Sequence, residues 1–460
     1  MKYSVWTLLM VLCLGCGQKK ENVKTTDGNT TNMVKLMTLD PGHFHAALVQ
    51  KTMYKGVDST IYVFAPQGPE VQDFLSKIKS YNSRSEDPTH WKVNPYFGDD
   101  YLEKMIAEKP GNVMVVAGKN SKKIDYILAA VKAGLNVYAD KPLVINPEGF
   151  QKLEEAFKIA EEKGVMIYDI MTERFEVTTA MQKQFSMLPN VFGELEDGSK
   201  ENPAISKESV HHFFKYVSGQ PLVRPAWFFD VNEEGEGIVD VTTHLVDLVQ
   251  WELFPDQIIN RTDIEMVAAK RWPTILTLEE FSKVTGLDSF PDYLKKDIED
   301  NKLKVYCNGE MVYKIKGKYA KVSVIWNYQA PEGTGDTHYS IMRGTKSDLV
   351  IKQGKEENYK PTLYIENKGT DNFDAVLEDV IQTVINPKYP GTTAEKVGDK
   401  VWRINIPDQF KIGHEAHFAQ VTQNYLKYLE EGKLPNWEVP NMLAKYYTTI
   451  EGYKMAKEME

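Results

Sequence analysis

The chain has 460 residues, a formal net charge of −10 at pH 7, and 42% hydrophobic against 26% charged residues. This length exceeds what a single hydrophobic core usually spans, so two domains are expected, and the composition is that of an ordinary globular protein. The acidic charge argues against a nucleic-acid partner, because binding nucleic acid requires a basic surface.

The N-terminus has the pattern of an export signal. A lysine precedes an apolar run over residues 5–14, which is too short to span a membrane as a stable helix. The run ends in small residues around Cys16 and resembles a bacterial lipoprotein signal peptide, residues 1–15, with Cys16 as the lipidated residue; an ordinary secretory signal is the alternative. Residues 16–32 are polar and are expected to form a lipidated tether. The sequence therefore predicts a lipoprotein of the bacterial cell envelope that faces the periplasm and contacts the membrane only through its anchor.

Strands and helices alternate from residue 33 to residue 171. The predicted strands are 33–39, 59–65, 112–117, 136–139 and 165–170, and the predicted helices are 43–54, 71–80, 99–108, 121–133 and 147–163. The polar segment 81–95 is predicted to be a loop. This alternation predicts an α/β fold with a doubly wound parallel sheet.

The pattern changes in residues 172–460. Helices are predicted over 174–188, 414–429 and 442–459, and strands over 209–217, 226–231, 265–269, 304–308, 310–315, 319–328, 338–344 and 348–353. Several of these strands are adjacent and hairpin-like. We therefore expect an α+β domain with an open, mostly antiparallel sheet.

The stretch from Gly237 to Trp251 is the most informative one. As a helix it would place Asp240, His244, Asp247 and Trp251 on one face and apolar residues on the others. A buried helix must give such a polar stripe partners or a cavity, because an unpaired buried charge is very costly. The stripe alone fits either a core helix whose polar groups satisfy one another or a helix of an active site.

Two turns of the first domain bear on a cofactor. The first strand–helix turn keeps only the last glycine, Gly42, of the Gly-x-Gly-x-x-Gly pattern that receives a dinucleotide. The second strand ends at Ala65 without the usual acidic residue, so this turn does not decide whether the cofactor is NAD or NADP. Lys141 follows the fourth strand, between Asp140 and Pro142, and would point into the ligand crevice of such a sheet; a surface lysine in a turn is the alternative.

Together, the stretches 137–142 (VYADKP) and 235–244 (GEGIVDVTTH) resemble the two signatures of the Gfo/Idh/MocA family of glucose–fructose oxidoreductase and inositol dehydrogenase. The resemblance implies a dinucleotide-binding Rossmann domain over residues 33–171 and a substrate-binding domain over residues 172–460. It implies NAD as the cofactor, with NADP not excluded, and a catalytic group of Lys141, Asp240 and His244. The implied cofactor-binding residues are Gly42, His43, His45, Ala65, Gly118, Asn120, Asp140 and Lys141.

Three further residues are candidate substrate contacts. Arg174 fits the same family template. His211 and His212 are adjacent on a predicted strand and must face opposite sides, and of the two His212 is favoured as the one lining the cleft. Trp227 could stack on a sugar ring, although core packing is its alternative. No compact ligand motif predicts a metal site.

The implied chemistry is the oxidation of a secondary alcohol. A neutral histidine can accept the hydroxyl proton near pH 7, and a lysine can stabilise negative charge on the oxygen. The sequence therefore predicts an NAD-dependent oxidoreductase that acts on a sugar or glycoside, at carbon 3, and gives a 3-keto sugar. The alternatives are an NAD-dependent glycosidase that works by transient oxidation, elimination and re-reduction, and a non-catalytic sugar-binding lipoprotein. Because free nicotinamide is scarce outside the cytoplasm, a tightly retained cofactor is a further hypothesis, and homo-oligomerisation stays open.

Overall fold

The computed structural model describes residues 33–217 and 220–459. The predicted signal peptide, Cys16 and the tether lie outside these residues. Within the described part of the chain, no helix is long and apolar enough to cross a membrane.

The first domain is the doubly wound α/β fold that the sequence predicts. Its strands are β1 (Val34–Leu39), β2 (Val57–Ala65), β3 (Lys92–Phe97), β4 (Val113–Val116), β5 (Asn136–Asp140) and β6 (Ile167–Ile170). Its helices are α1 (His45–Leu48), α2 (Pro69–Ser83), α3 (Tyr101–Glu108), α4 (Asn120–Lys132) and α5 (Pro147–Lys163). The six strands are parallel and lie in the order β3-β2-β1-β4-β5-β6. Chain order reverses between β1 and β4, so the ligand crevice of the sheet opens at the carboxyl ends of these two strands.

The structure corrects two predictions in this domain. Strand β3 occupies part of the segment that was predicted to be a loop, and it lies at the edge of the sheet, where a proline such as Pro95 is tolerated because one side of an edge strand needs no hydrogen bonds. Helix α1 has only four residues and continues as a 3-10 turn over Val49–Lys51. The predicted helix over residues 43–54 is therefore too long.

The second domain is built on a ten-stranded, mostly antiparallel sheet. Its strands are β7 (Ile205–Phe214), β10 (Ile264–Leu276), β11 (Ile298–Glu299), β12 (Lys302–Ile315), β13 (Lys318–Gln329), β14 (Thr337–Arg343), β15 (Ser347–Lys352), β16 (Thr362–Asn367), β17 (Thr393–Lys396) and β18 (Val401–Asn405), while β8 (Tyr216–Val217) and β9 (Gln220–Pro221) form a separate pair. The order is β10-β12-β13-β7-β14-β15-β16-β18-β17, with β11 beside β12. Only the pair β7–β13 is parallel within this sheet.

Seven helices accompany this sheet in the described residues. They are α6 (Val177–Ser186), α7 (Val231–Glu234), α8 (Thr242–Leu253), α9 (Leu278–Thr285), α10 (Phe373–Val380), α11 (His414–Glu431) and α12 (Glu438–Glu458). The predicted strand over residues 226–231 is wrong, since Ala226–Phe229 is a 3-10 helix that leads into α7. Its three aromatic residues are buried, and a short apolar run of this kind cannot be assigned to strand or helix by periodicity alone.

Helix α11 returns to the first domain. Its Phe418, Val421 and Tyr425 are part of the core on one face of the parallel sheet. The Tyr425 ring stacks on Tyr138 of β5 and Tyr168 of β6, with centroids 4.8 and 5.6 Å apart. The two domains are therefore held together by the C-terminal part of the chain, and the domain division at residues 171 and 172 stays a prediction.

Candidate active site

Lys141 and Asp240 meet at the carboxyl end of β5. The Nζ atom of Lys141 lies 2.5 Å from Oδ1 of Asp240, and their side chains are only 11% and 7% exposed. The turn that carries Lys141 is fixed from below by Lys123, whose buried ammonium donates to the carbonyl oxygens of Asp140 at 2.8 Å and Pro142 at 3.0 Å. The sequence expectation that these two distant motifs converge is met by this ion pair.

The glycine-rich lead into Asp240 has a steric reason. A Cβ atom on Gly237 would lie 1.7 Å from the carbonyl oxygen of Cys307, so the chain touches the backbone of β12 at this point. Ile238 fills the space above Gly309 in the same way, with 2.7 Å between its Cβ and an ideal Cβ built on the glycine. Helix α8 begins at Thr242 and not at Gly237, so Asp240 precedes the helix that the sequence placed it on.

His244 lies in the first turn of α8 and is held neutral. Its Nδ1 atom is buried and has no hydrogen-bond partner among the described residues. Burial, reinforced by the positive charge of Lys141, lowers the pKa of His244 to about 3. The structure thus brings His244 near Lys141, but it makes the imidazole a much weaker base than the ordinary pKa near 6.5 implies.

Glu173 and His414 complete this side of the cleft and were not found from the sequence. Nδ1 of His414 lies 3.4 Å from Oε1 of Glu173. Burial opposes ionisation of Glu173, but the neighbouring His414 and His244 lower its pKa well below the ordinary range. The only sequence signal was that Glu173 is adjacent to Arg174, because His414 comes from a helix about 240 residues later in the chain.

The two histidines of the first turn lie beside Asp140. Nδ1 of His45 is 2.9 Å from Oδ2 of Asp140, and Nδ1 of His43 is 3.7 Å from the same oxygen. Burial opposes ionisation of Asp140, but contacts with His45 and Lys123 lower its pKa well below the ordinary range. Because the carboxylate can only accept, Nδ1 of His45 carries a proton and Nε2 presents a lone pair. Ligand atoms of the three side chains all lie within 4.8 Å of one another, a spacing at which they could together hold a cation.

Arg174 is placed differently from the prediction. Its guanidinium donates to both carboxylate oxygens of Asp247 at 2.6 Å and to those of Glu438 at 3.0 and 3.2 Å. Lys445 joins the same cluster through Asp247 at 2.9 Å. These bonds tie the segment that follows β6 to α8 and α12, so protein carboxylates occupy the guanidinium and a supporting role is expected. Asp247, a member of the predicted polar stripe, is thus paired with two cations.

The cofactor crevice opens above β1, β2 and β4. Gly42, Ala65, Glu70, Lys119 and Trp227 are among the residues that line it. A Cβ atom on Gly118 would lie 2.5 Å from the carbonyl oxygen of Asp40, so the crevice floor is formed by backbone in close contact.

The groups that could bind a diphosphate in this crevice differ from those of a glycine-rich turn. The amides of Gly42 and His43 both donate to the carbonyl oxygen of Ala117 at 3.1 Å, so they are not free to receive a diphosphate. Lys119 and Lys122 line the crevice and supply positive charge in their place. The residues present therefore fit a dinucleotide.

Asn120 and Trp227 differ from their predicted roles. The Asn120 side chain donates to the carbonyl oxygen of Glu234 at 2.7 Å and accepts from Lys123 at 2.6 Å, so it joins the two domains and is not free for a cofactor. Trp227 lies at the cofactor crevice, where its ring is 3.5 Å from an ideal Cβ on Gly42. The sequence predicts Trp227 as a substrate contact, and no sequence signal indicates that it borders the cofactor crevice.

Glu234 is a second acidic group that the sequence did not single out. It is buried near Asp240 and Lys141. Burial and the negative charge of Asp240 raise the pKa of Glu234 well above the ordinary range, whereas Lys141 and Lys123 act against them. The site thus combines an ammonium, a neutral imidazole and two carboxyl groups, of which Glu234 is disfavoured from ionising by its burial.

Two family models match the chain. Residues 42–169 match "Oxidoreductase family, NAD-binding Rossmann fold", and residues 181–457 match "Putative oxidoreductase C terminal domain". No curated protein is significantly similar to the chain.

The chain is similar to several solved structures. A "putative oxidoreductase" from Parabacteroides merdae ATCC 43184 is 58% identical over 93% of this chain and 98% of that chain, with a TM-score of 0.91. A levoglucosan dehydrogenase in complex with NADH is 12% identical over 92% and 97% of the two chains, with a TM-score of 0.58. A "putative myo-inositol dehydrogenase" from Sinorhizobium meliloti 1021 is 13% identical over 93% and 98%, with a TM-score of 0.54. At such low identity the last two show a shared fold alone.

Proposed function

Since the chain belongs to the Gfo/Idh/MocA family of oxidoreductases with an NAD-binding Rossmann fold, we propose that it oxidises a secondary hydroxyl of a sugar or glycoside, at carbon 3. The observation that carries this proposal is the convergence of Lys141, Asp240 and His244 beside the cofactor crevice. The sugar class is supported by the levoglucosan and inositol dehydrogenases that share the fold.

The site can bind and polarise an alcohol without further groups. When bound, NAD supplies the hydride acceptor. Lys141 stays protonated because Asp240 and Asp140 raise its pKa against the effect of burial. Its ammonium can donate to the reacting oxygen and stabilise the negative charge that develops there, while Asp240 holds the ammonium in place.

The hydroxyl proton has one evident acceptor. That acceptor is the imidazole of His244 in the first turn of α8, which is close enough to Lys141 for the lysine charge to add to the effect of burial on its pKa. A pKa of about 3 means that an imidazolium is unfavourable in the free protein. Negative charge developing on the substrate oxygen would stabilise that imidazolium, so proton transfer to His244 accompanies the oxidation and does not precede it.

The test is a product analysis on a panel of methyl and 4-nitrophenyl glycosides. With added NAD we expect NADH absorbance and a product two mass units lighter than the glycoside. Lys141→Ala should remove both signals, whereas Lys152→Ala, an exposed lysine paired with Asp125, serves as the matched control. Binding of a glycoside with no turnover, and no nicotinamide either bound or released on denaturation, would instead support a non-catalytic sugar-binding protein.

We also propose that the protein is a lipoprotein of the bacterial envelope, facing the periplasm and anchored through Cys16. The support is the sequence pattern of residues 1–17. Radiolabelled palmitate should be incorporated into the wild-type protein and not into Cys16→Ala. Recovery of the unlabelled wild-type protein in the soluble cytoplasmic fraction would contradict this location.

A further inference from the structure

Three side chains, those of Ser209 and His211 on β7 and of Asp336 just before β14, form a hydrogen-bonded network in the second domain. Nε2 of His211 lies 2.7 Å from Oγ of Ser209, and Nδ1 of the same ring lies 2.9 Å from Oδ2 of Asp336. Lys215 also donates to Asp336. Ser209 and His211 are two residues apart on β7, so their side chains share one face of the sheet. This arrangement has no part in the proposed oxidation.

The register of the strands places the Ser209–His211–Asp336 network on the face of the sheet that carries the active site. Gly309 pairs with Val324, Val324 pairs with Ser209, and Ser209 pairs with His338, so these four residues point to the same side. Ile238 packs on Gly309 from that side, two residues before Asp240. His211, and not His212, therefore faces the compartment of Lys141, Asp240 and His244, which corrects the choice made from the sequence.

Arg224 lies near both the Ser209–His211–Asp336 network and Asp240. Burial lowers the pKa of Arg224 to about 10, and the carboxylates of Asp336, Glu234 and Asp240 act on it in the opposite direction. Arg224 lies over the ring of Trp326, 5.1 Å from its centroid, and His211 stacks on the same ring at 4.9 Å. Arg224 therefore lies between the Ser209–His211–Asp336 network and the carboxyl groups of Glu234 and Asp240.

The positions of the protons in the Ser209–His211–Asp336 network follow from its geometry. Although burial opposes it, contacts with His211, His212 and Lys215 keep Asp336 an ionised carboxylate with a pKa well below the ordinary range. A carboxylate only accepts, so Nδ1 of His211 carries the proton and Nε2 presents a lone pair. The Ser209 hydroxyl donates to that lone pair in the free protein. An imidazole held in one tautomer by a carboxylate is a common form of general base.

We propose that His211 is a second proton-transfer residue, which removes and returns a proton on a carbon adjacent to the ketone formed by the oxidation. In this step the C–H bond breaks, its electron pair forms the carbon–carbon double bond of an enolate with the charge on the ketone oxygen, and the proton goes to Nε2 of His211. Ser209 gives up its hydrogen bond as the substrate takes its place. The inference rests on the proposed sugar oxidation and extends it toward the glycosidase alternative, because such an enolate can expel a group from the neighbouring carbon.

The experiment uses a ready-made ketone, so that it does not depend on the oxidation. The wild-type protein is incubated in D₂O with methyl 3-keto-β-D-glucoside, and deuterium incorporation is followed by mass spectrometry against a buffer blank. NAD reduction by methyl β-D-glucoside is measured separately. We expect exchange above the blank in the wild type and a fall of about 100-fold in His211→Gln, the usual contribution of a general base. Ser209→Ala should keep the exchange within about threefold on the same scale.

Further variants show whether His211 takes part in proton transfer or only supports the structure. His90→Gln replaces an exposed histidine that lies near the amino ends of β1 and β2 and should match the wild type in both assays. Asp336→Asn should lower the exchange with His211 still present, because the tautomer is no longer fixed. Exchange at the blank rate in the wild type, or unchanged exchange in His211→Gln, would overturn the proposal even if NAD reduction is normal. Exchange without any NAD reduction would instead count against the oxidation while supporting His211.

Discussion

The variant Arg174→Met tests whether Arg174 supports the fold or binds the substrate. The Arg174 guanidinium is 10% exposed and makes four hydrogen bonds to Asp247 and Glu438, whose side chains are 3% and 1% exposed. Its removal leaves Asp247 with Lys445 as a partner, at 2.9 Å. Glu438 loses the only cation within ion-pair distance among the residues described. The variant therefore creates one uncompensated buried carboxylate.

The expected cost is a decrease of about 3–5 kcal/mol in the free energy of unfolding, which is typical when one partner of a buried ion pair is removed. Burial already raises the pKa of Glu438 against the effect of Arg174, so without the arginine this carboxyl should take up a proton. Replacing it with its neutral analogue should therefore recover part of the loss. We expect the double variant Arg174→Met, Glu438→Gln to regain about 1–3 kcal/mol, the desolvation penalty of one buried group.

The assay is urea unfolding followed by intrinsic fluorescence, combined with steady-state kinetics on the glycoside that the product analysis identifies. Arg261→Met is the matched control, since its side chain is 52% exposed and pairs with one half-exposed glutamate. An unchanged unfolding midpoint together with a KM raised by tenfold or more would refute the supporting role and restore Arg174 as a substrate ligand.

Three other predictions concern the site and its pH dependence. Asp240→Asn removes the carboxylate that raises the pKa of Lys141, so the alkaline limb of the pH–rate profile should move to lower pH. Burial lowers the pKa of His338 to about 3, below the value near 6.5 of an unfolded histidine. The unfolded state therefore binds a proton that the folded state does not, and the protein loses stability as the pH falls below 6.5. His338→Gln should reduce the difference in unfolding free energy between pH 6.5 and pH 5 by about 2 kcal/mol, measured by urea unfolding. Gly118→Ala places a Cβ 2.5 Å from a backbone carbonyl oxygen of the crevice floor and should weaken NAD binding by about tenfold or more in calorimetry, whereas Gly335→Ala, with open space around it, should not.

Much of the first domain could be predicted because its information is local. Buried parallel strands are continuous apolar runs, and the helices between them have amphipathic periodicity, so β1, β2, β4, β5 and β6 follow from the sequence. Edge strand β3 has only exposed and half-buried residues and contains a proline, so its sequence has the polar character of a loop. The family motifs were equally local, and they brought Lys141 and Asp240 to attention from positions about 100 residues apart.

Only the tertiary structure decided how the polar groups of the cleft are used. Arg174 faces two carboxylates from α8 and α12 instead of a substrate, His211 takes the place predicted for His212, and Glu173 meets a histidine from a helix at the far end of the chain. The pKa of His244 depends on its burial and on the charge of Lys141, neither of which is encoded within its own helix. The sequence by itself determined the family, the cofactor class and the reactive residue types, because these depend on short motifs. The partner of each charged group was decided by packing between domains, since the strength of a charge–charge interaction depends on distance and desolvation in the folded state.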